Sequence, residues 1–243
     1  MCSLYTLLPL VSTYGLSLKS LGGGNENCRS TWHSYPFSCM LRIYVRPTCI
    51  GVYMRQMIID NFVSESFRLT LESLITSNNF DWQFSKNSAY SDWNYGNTMP
   101  HDGVFQFCHM IKNIDNYHSK DYEIFKPLIY FFEHKTGLRI KGLYKLKVNM
   151  LTQRDITEEA NRLAIHKDIL DGDDYVSFVY YVNDSDGDTV IYDEDKVNVI
   201  DRCSPKANRC FWFKSNQWHN ATPPKDHQTR IIINCTLQVD GAV

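Results

Sequence analysis

The hydrophobic period of this chain changes at Gly137, and that change limits the available folds more than any other feature. Before it, Phe67, Leu71, Leu74 and Ile75 recur at helical spacing behind Ser64, a residue type suited to an N-cap, which predicts a helix ending near Thr76. The aromatic, Asn- and Ser-rich stretch 78–115 reads as loops and short strands. A second helix is predicted over 121–135, kinked or started late by Pro127 and ended at Gly137 by a left-handed cap. Beyond Gly137, Tyr144, Leu146, Val148 and Met150 alternate with Lys145, Lys147 and Asn149, as on a strand with one buried face. Further β-rich runs follow at 175–182, 189–192, 196–200, 209–213 and 229–239, parted by Gly, Asp, Asn and Pro. With one more strand carrying His166, this many short strands after helices predicts a mainly β fold with flanking helices, its core a double-stranded β-helix or jelly roll.

Composition narrows the function. A net charge of −2 supplies no general basic field, so nucleic acid is not an expected partner. No apolar run is long enough for a membrane-spanning helix, so no membrane association is expected either. The eight cysteines show no C-x2-C spacing and read as ordinary thiols, consistent with a reducing cytoplasm. Residues 1–53 stand apart: Glu26 is their one acidic residue against Lys19, Arg29, Arg42 and Arg46, and they carry Gly22, Gly23 and Gly24 in a row. They read as a poorly ordered or spurious N-terminal extension, with Met54 and Met57 as alternative starts; a targeting segment is the competing reading. The folded domain is then expected over 54–243, with helical support over 54–137 and the jelly-roll core over 138–239.

Within that core lies a chelate in sequence form. On a strand, residues two apart face the same way, so His166 and Asp168 can grip one ion together. A histidine from a distant strand completes two imidazoles and one carboxylate on one side of a metal, the facial arrangement of non-haem Fe(II) oxygenases, with the remaining positions open. His219 and His227 compete for this place; His219 is preferred because it precedes the turn into the strand holding Arg230, whereas His227 reads as a solvated loop residue. Arg230 opens the apolar run Ile231, Ile232, Ile233, where an inward guanidinium is costly unless it meets an anion. The plain alternatives are a surface His166–Asp168 ion pair and an internal salt bridge for Arg230.

These residues, in this order and spacing, resemble the 2-oxoglutarate and Fe(II)-dependent dioxygenase superfamily, in its prolyl-hydroxylase-like branch and uncharacterised phage-type relatives, over roughly residues 57–238. The resemblance implies Fe(II) held by His166, Asp168 and His219, with 2-oxoglutarate and O2 as co-substrates and ascorbate as an accessory reductant. It implies Arg230 as partner of the distal 2-oxoglutarate carboxylate, Tyr181 as a further hydrogen-bonding contact, and Asn149 at the other end of the co-substrate. It also implies hydroxylation of a C–H bond in a peptidyl-proline or small-molecule substrate, with release of succinate and CO2. Trp93, Tyr95, Phe105 and Trp218 are candidates for the substrate wall. Two departures stand out: Asp188 replaces the second glycine of a Gly-Gly-x-Thr turn ending at Thr189, and Ile232 occupies a position where other branches place serine. Two rival functions remain, a nucleobase dealkylase of the same superfamily and a non-catalytic metal-binding jelly roll used for recognition.

Overall fold

A computed structural model describes residues 57–88 and 104–241; the expected N-terminal extension over 1–53, with Trp93 and Tyr95, lies outside the described residues. Among the described residues ten strands and four α-helices follow in chain order: β1 (Met57–Ile59), α1 (Glu65–Ile75), β2 (Gln83–Ser85), β3 (Gln106–Asn113), α2 (Tyr122–Phe125), α3 (Pro127–Thr136), β4 (Ile140–Thr152), α4 (Glu158–Leu163), β5 (Tyr175–Tyr181), β6 (Thr189–Tyr192), β7 (Val199–Cys203), β8 (Arg209–Lys214), β9 (His219–Ala221) and β10 (Thr229–Val239). They form a seven-stranded sheet ordered β1-β8-β5-β10-β4-β3-β2 and a three-stranded sheet ordered β7-β6-β9. This is the mainly β, helix-flanked fold expected of a double-stranded β-helix.

Pro127 divides the second predicted helix in two: α2 stops at Lys126, and α3 restarts with proline at its first position, where the missing N–H is no loss. Gly137 then takes φ 72° and its N–H donates to Glu133 O, the left-handed cap that glycine adopts without strain. In α1, Leu71 and Ile75 are buried while Phe67 and Leu74 pack beside them. Ser64 sits at the N-cap position with extended backbone but makes no side-chain cap bond. Residues 57–136 also contribute β1 to the large sheet, and β2 and β3 from the stretch read as loops and short strands.

Alternation along the central strands divides the interior into two layers. Val176, Phe178 and Tyr180 of β5, Trp212 of β8, and Ile231, Ile233, Cys235 and Leu237 of β10 face the helices in the larger core. Val179 and Tyr181 of β5, Phe211 and Phe213 of β8, Ile232 of β10 and Ile191 of β6 fill the smaller core between the sheets. Strands buried on both faces explain the nearly continuous apolar runs at 175–182 and 229–239. Phe178 stacks on Phe132 at 4.9 Å between centroids, joining the sheet to α3. Cys108, Cys203, Cys210 and Cys235 are free thiols; burial pushes Cys210 and Cys235 well above the ordinary thiol range. No described helix is long and apolar enough to cross a membrane.

Candidate metal centre and co-substrate pocket

His166 does not belong to a full strand, contrary to the sequence expectation. Helix α4 delivers the chain to Ala164, and His166 then forms an isolated antiparallel bridge with His219 of β9. The pair exchanges both backbone bonds, His166 N–H to His219 O and His219 N–H to His166 O, each 2.9 Å. Directly opposed residues of an antiparallel pair project to one face, so one bridge brings the imidazoles together with ring centroids 4.3 Å apart. Asn220, next in β9, anchors this bridge by donating to the carbonyl and side-chain oxygens of Asn161 in α4, at 2.9 and 2.7 Å.

Asp168 reaches the same point two residues on, and the candidate ligand atoms of His166, Asp168 and His219 all lie within 4.8 Å of one another. Hydrogen bonds fix how each is presented. His166 Nδ1 lies 3.0 Å from Ala164 O, and His219 Nδ1 lies 2.9 Å from Gln217 O. Carbonyls accept only, so both rings carry the proton on Nδ1, which leaves the Nε2 lone pair available to a metal. The Asp168 side chain is 2% exposed; Lys145 Nζ donates to Oδ1 and Ser177 Oγ to Oδ2, both at 2.6 Å. Burial alone would raise its pKa, but the Lys145 ammonium and the flanking imidazoles hold the carboxyl well below the usual range. Burial, and then proximity to His219, lowers His166 to about 3; burial also lowers His219. At neutral pH the trio is one carboxylate and two neutral imidazoles, the protonation a divalent metal requires. His227 lies elsewhere, half-exposed against Asp186 at 2.9 Å; it pins a loop rather than standing free as the sequence reading had it.

Arg230 lines the same pocket from β10 and is 1% exposed. Its Nε donates to Gly187 O at 2.5 Å and its Nη2 to Thr189 Oγ1 at 2.6 Å. Tyr181 OH donates to the same Thr189 oxygen at 2.7 Å, and the guanidinium carbon stands 5.5 Å from the Tyr181 ring centre. Among the described residues no carboxylate forms an ion pair with Arg230, so the internal salt bridge considered from sequence is not formed there. A cation buried this deeply without an anion costs several kcal/mol, on the order of 3–5, unless a ligand supplies one. Gly187 makes the approach possible: a Cβ there would meet Thr222 O at 2.3 Å and Arg230 Cδ at 3.0 Å.

Asn149 of β4 opens onto the pocket as well, and its Oδ1 is buried without a hydrogen-bond partner. Sequence reading placed Lys145 and Lys147 on the exposed side of β4, but both turn into this pocket. The signal available to find them was an alternating Lys-x-Lys-x-Asn inside a strand whose neighbours are buried on both faces. Ser177 and Asn234, also facing the site, carried no signal distinguishable from ordinary strand residues. Of the wall candidates, Phe105 packs against Phe84, Phe107 and the Arg154 guanidinium. Trp218 lies between Lys167 and Lys196, whose ammonium groups stand 4.7 and 3.7 Å from its ring centre.

Residues 151–238 match the family described as 2OG-Fe(II) oxygenase superfamily. No curated protein matches the sequence. Among solved structures, a prolyl hydroxylase from Trichoplax adhaerens, in complex with a hypoxia inducible factor oxygen degradation domain peptide fragment, is similar at TM-score 0.51 and 17% identity, covering 76% of this chain and 83% of that one. An oxidoreductase of the 2OG-Fe(II) oxygenase family from Burkholderia pseudomallei is similar at TM-score 0.52 and 12% identity, covering 77% and 87%.

Proposed function

We propose, for a chain that carries a 2OG-Fe(II) oxygenase domain and is a 2-oxoglutarate-dependent dioxygenase using Fe(II) and O2, that His166, Asp168 and His219 are its iron ligands and Arg230 its 2-oxoglutarate anchor. The reaction proposed is hydroxylation of a C–H bond in a small-molecule or peptidyl substrate. One observation carries the reading: a His-Asp-His trio within 4.8 Å shares a pocket with a buried guanidinium that has no anionic partner among the described residues. A surface ion pair or a bare recognition module accounts for neither the buried Arg230 nor its Gly187 cradle.

Each side chain has a task that its geometry supports. The two carbonyl-tethered imidazoles present Nε2 without rotational search, and Lys145 with Ser177 orients the Asp168 carboxylate. Arg230, oriented through Nε and Nη2, offers its remaining edge to the distal carboxylate of 2-oxoglutarate. Tyr181 and Thr189 hold that guanidinium in plane, and the Asn149 amide faces the co-substrate from β4. Val179, Ile232, Leu151 and Ala164 wall the pocket with apolar surface and keep water from it. When bound, Fe(II) with 2-oxoglutarate and O2 supplies the oxidation that yields hydroxylated product, succinate and CO2.

The test is anaerobic addition of Fe(II) and 2-oxoglutarate, scoring the visible metal-to-ligand charge-transfer band, followed by O2 and measurement of succinate. The wild type is expected to give both signals and His166→Ala neither. A band of equal intensity in the two proteins would remove His166 from the metal and overturn the assignment.

A further inference from the structure

The pocket has more positive charge than its metal chemistry uses. Lys145, Lys147 and Arg230 line it against one carboxylate, Asp168, while the two imidazoles are neutral. Lys145 is committed to Asp168 at 2.6 Å. Arg230 is assigned above to the co-substrate. Lys147 remains: it is 8% exposed, and among the described residues it forms no ion pair and no side-chain hydrogen bond. Fe(II) and doubly charged 2-oxoglutarate cancel when both enter, so loading the site leaves its excess of positive charge in place, and Lys147, whose pKa burial lowers, is the cation without an assigned partner.

A second unspent polar atom, an acceptor, lies beside Lys147. Asn234 of β10 is the cross-strand partner of Lys147 on β4, so their side chains share the pocket face. The Asn234 Oδ1 is also buried without a partner. An amide and an ammonium side by side, both desolvated and both unspent, are expensive to maintain in a finished core. The register separates this pair from the co-substrate anchor: Arg230 lies opposite Leu151, four residues along β4 from Lys147. At about 3.4 Å per residue that is a separation on the order of 10 Å or more along the strand.

We infer that Lys147 and Asn234 form the substrate-recognition subsite of this dioxygenase, and that the substrate is a small molecule bearing an oxyanion, a carboxylate or a phosphate, docked on the β4–β10 wall. This rests on the dioxygenase reading above and specifies its substrate class. Lys147 lines the pocket together with His166, Asp168 and His219 and is itself 8% exposed, which favours a small anion. The Lys147 ammonium supplies the charge that pairs with the oxyanion, and the Asn234 Oδ1, an acceptor, takes a hydrogen bond from an O–H or N–H of the same molecule.

The test uses full-length protein loaded with Zn(II) in place of iron and saturated with 2-oxoglutarate, each binding step first measured as its own isotherm. The loaded protein is titrated with acetate and, separately, with inorganic phosphate, following the Asn234 side-chain amide by NMR. Saturable movement of that signal is expected with at least one anion, the better one identifying which oxyanion fits. Lys147→Met should weaken it by about tenfold or more, the value of one charge-assisted hydrogen bond, and Lys147→Arg should restore it. Affinity for 2-oxoglutarate should stay within about twofold in both variants. Absence of saturation in the wild type overturns the inference, as does an unchanged response in Lys147→Met. A matching loss of 2-oxoglutarate affinity in Lys147→Met would assign the lysine to the co-substrate instead. Failure of wild-type Zn(II) or 2-oxoglutarate binding counts against the dioxygenase site itself and takes this subsite with it.

Discussion

Arg230 shows most directly what the proposed function asks of a single residue. Its guanidinium is fully buried, tied to Gly187 O and Thr189 Oγ1, and lacks an anion among the described residues. Burial also pulls its pKa down, the mark of a charge held where it is not solvated. Replacing such a group with an apolar side chain of similar reach removes a desolvation penalty, whereas removing the partner of a satisfied ion pair leaves one behind. Arg230→Met is therefore expected to make the ligand-free protein as stable as the wild type or more stable, by about 1–3 kcal/mol in urea unfolding. The same variant should lose 2-oxoglutarate affinity by at least roughly a hundredfold, two charge-assisted hydrogen bonds' worth. A variant that is both destabilised and still binds 2-oxoglutarate would mean that Arg230 is a structural residue.

At the scale of elements, two glycines make opposite demands. Gly137 closes α3 at φ 72°, and a Cβ there meets nothing within 4 Å, so its role is conformational. Gly137→Ala should cost about 1–2 kcal/mol of stability, the penalty for a side chain in the left-handed region, and leave metal and 2-oxoglutarate binding unchanged. Gly187 has no such backbone requirement; it lies between β5 and β6, pressed against Thr222 O and the Arg230 stem. Gly187→Ala should displace that stem and weaken 2-oxoglutarate binding by about tenfold or more even in folded protein, as calorimetric titration would show. Equal ligand affinities in the two variants would break the link between this turn and the anchor. The elements also show what local sequence could and could not carry. The Pro127 break, the Gly137 cap and strand β10 follow from backbone rules acting over a few residues, and all were readable. The placement of His166 was not, because its bridge to His219 depends on a partner 53 residues away, and α4 just before it has no long apolar stripe. The lysines of β4 were misread for a similar reason: alternation shows that two faces differ, but only the second sheet shows that both are enclosed.

Over the whole molecule, the site is a polar inclusion at the mouth of the small intersheet core, and its titration is expected to separate the stability of the fold from its affinity for metal. His166 is held down to about 3 by burial and by His219, and burial lowers His219 as well, against about 6.5 in an unfolded chain. Each folded-state pKa is depressed, so as pH falls below about 6.5 the unfolded chain takes up protons that the folded protein refuses. Metal-free protein should lose stability across that range, by up to about 1.4 kcal/mol per pH unit for each histidine, until His166 itself protonates near 3. The depressed pKa of Asp168 acts in the same direction only below the ordinary carboxylate range, so the upper part of the fall belongs to the histidines. Metal affinity of the folded protein behaves differently. Because both imidazoles have lowered pKa values, Zn(II) binding should release fewer protons and weaken less steeply between pH 7 and 5 than at an ordinary histidine site. Urea midpoints measured against pH, beside Zn(II) isotherms in buffers of different ionisation enthalpy, read the two quantities independently. Affinity falling by about tenfold per pH unit from 6.5, with proton release on binding, would show that the histidines titrate as solvated groups and that the pocket does not enclose them as described.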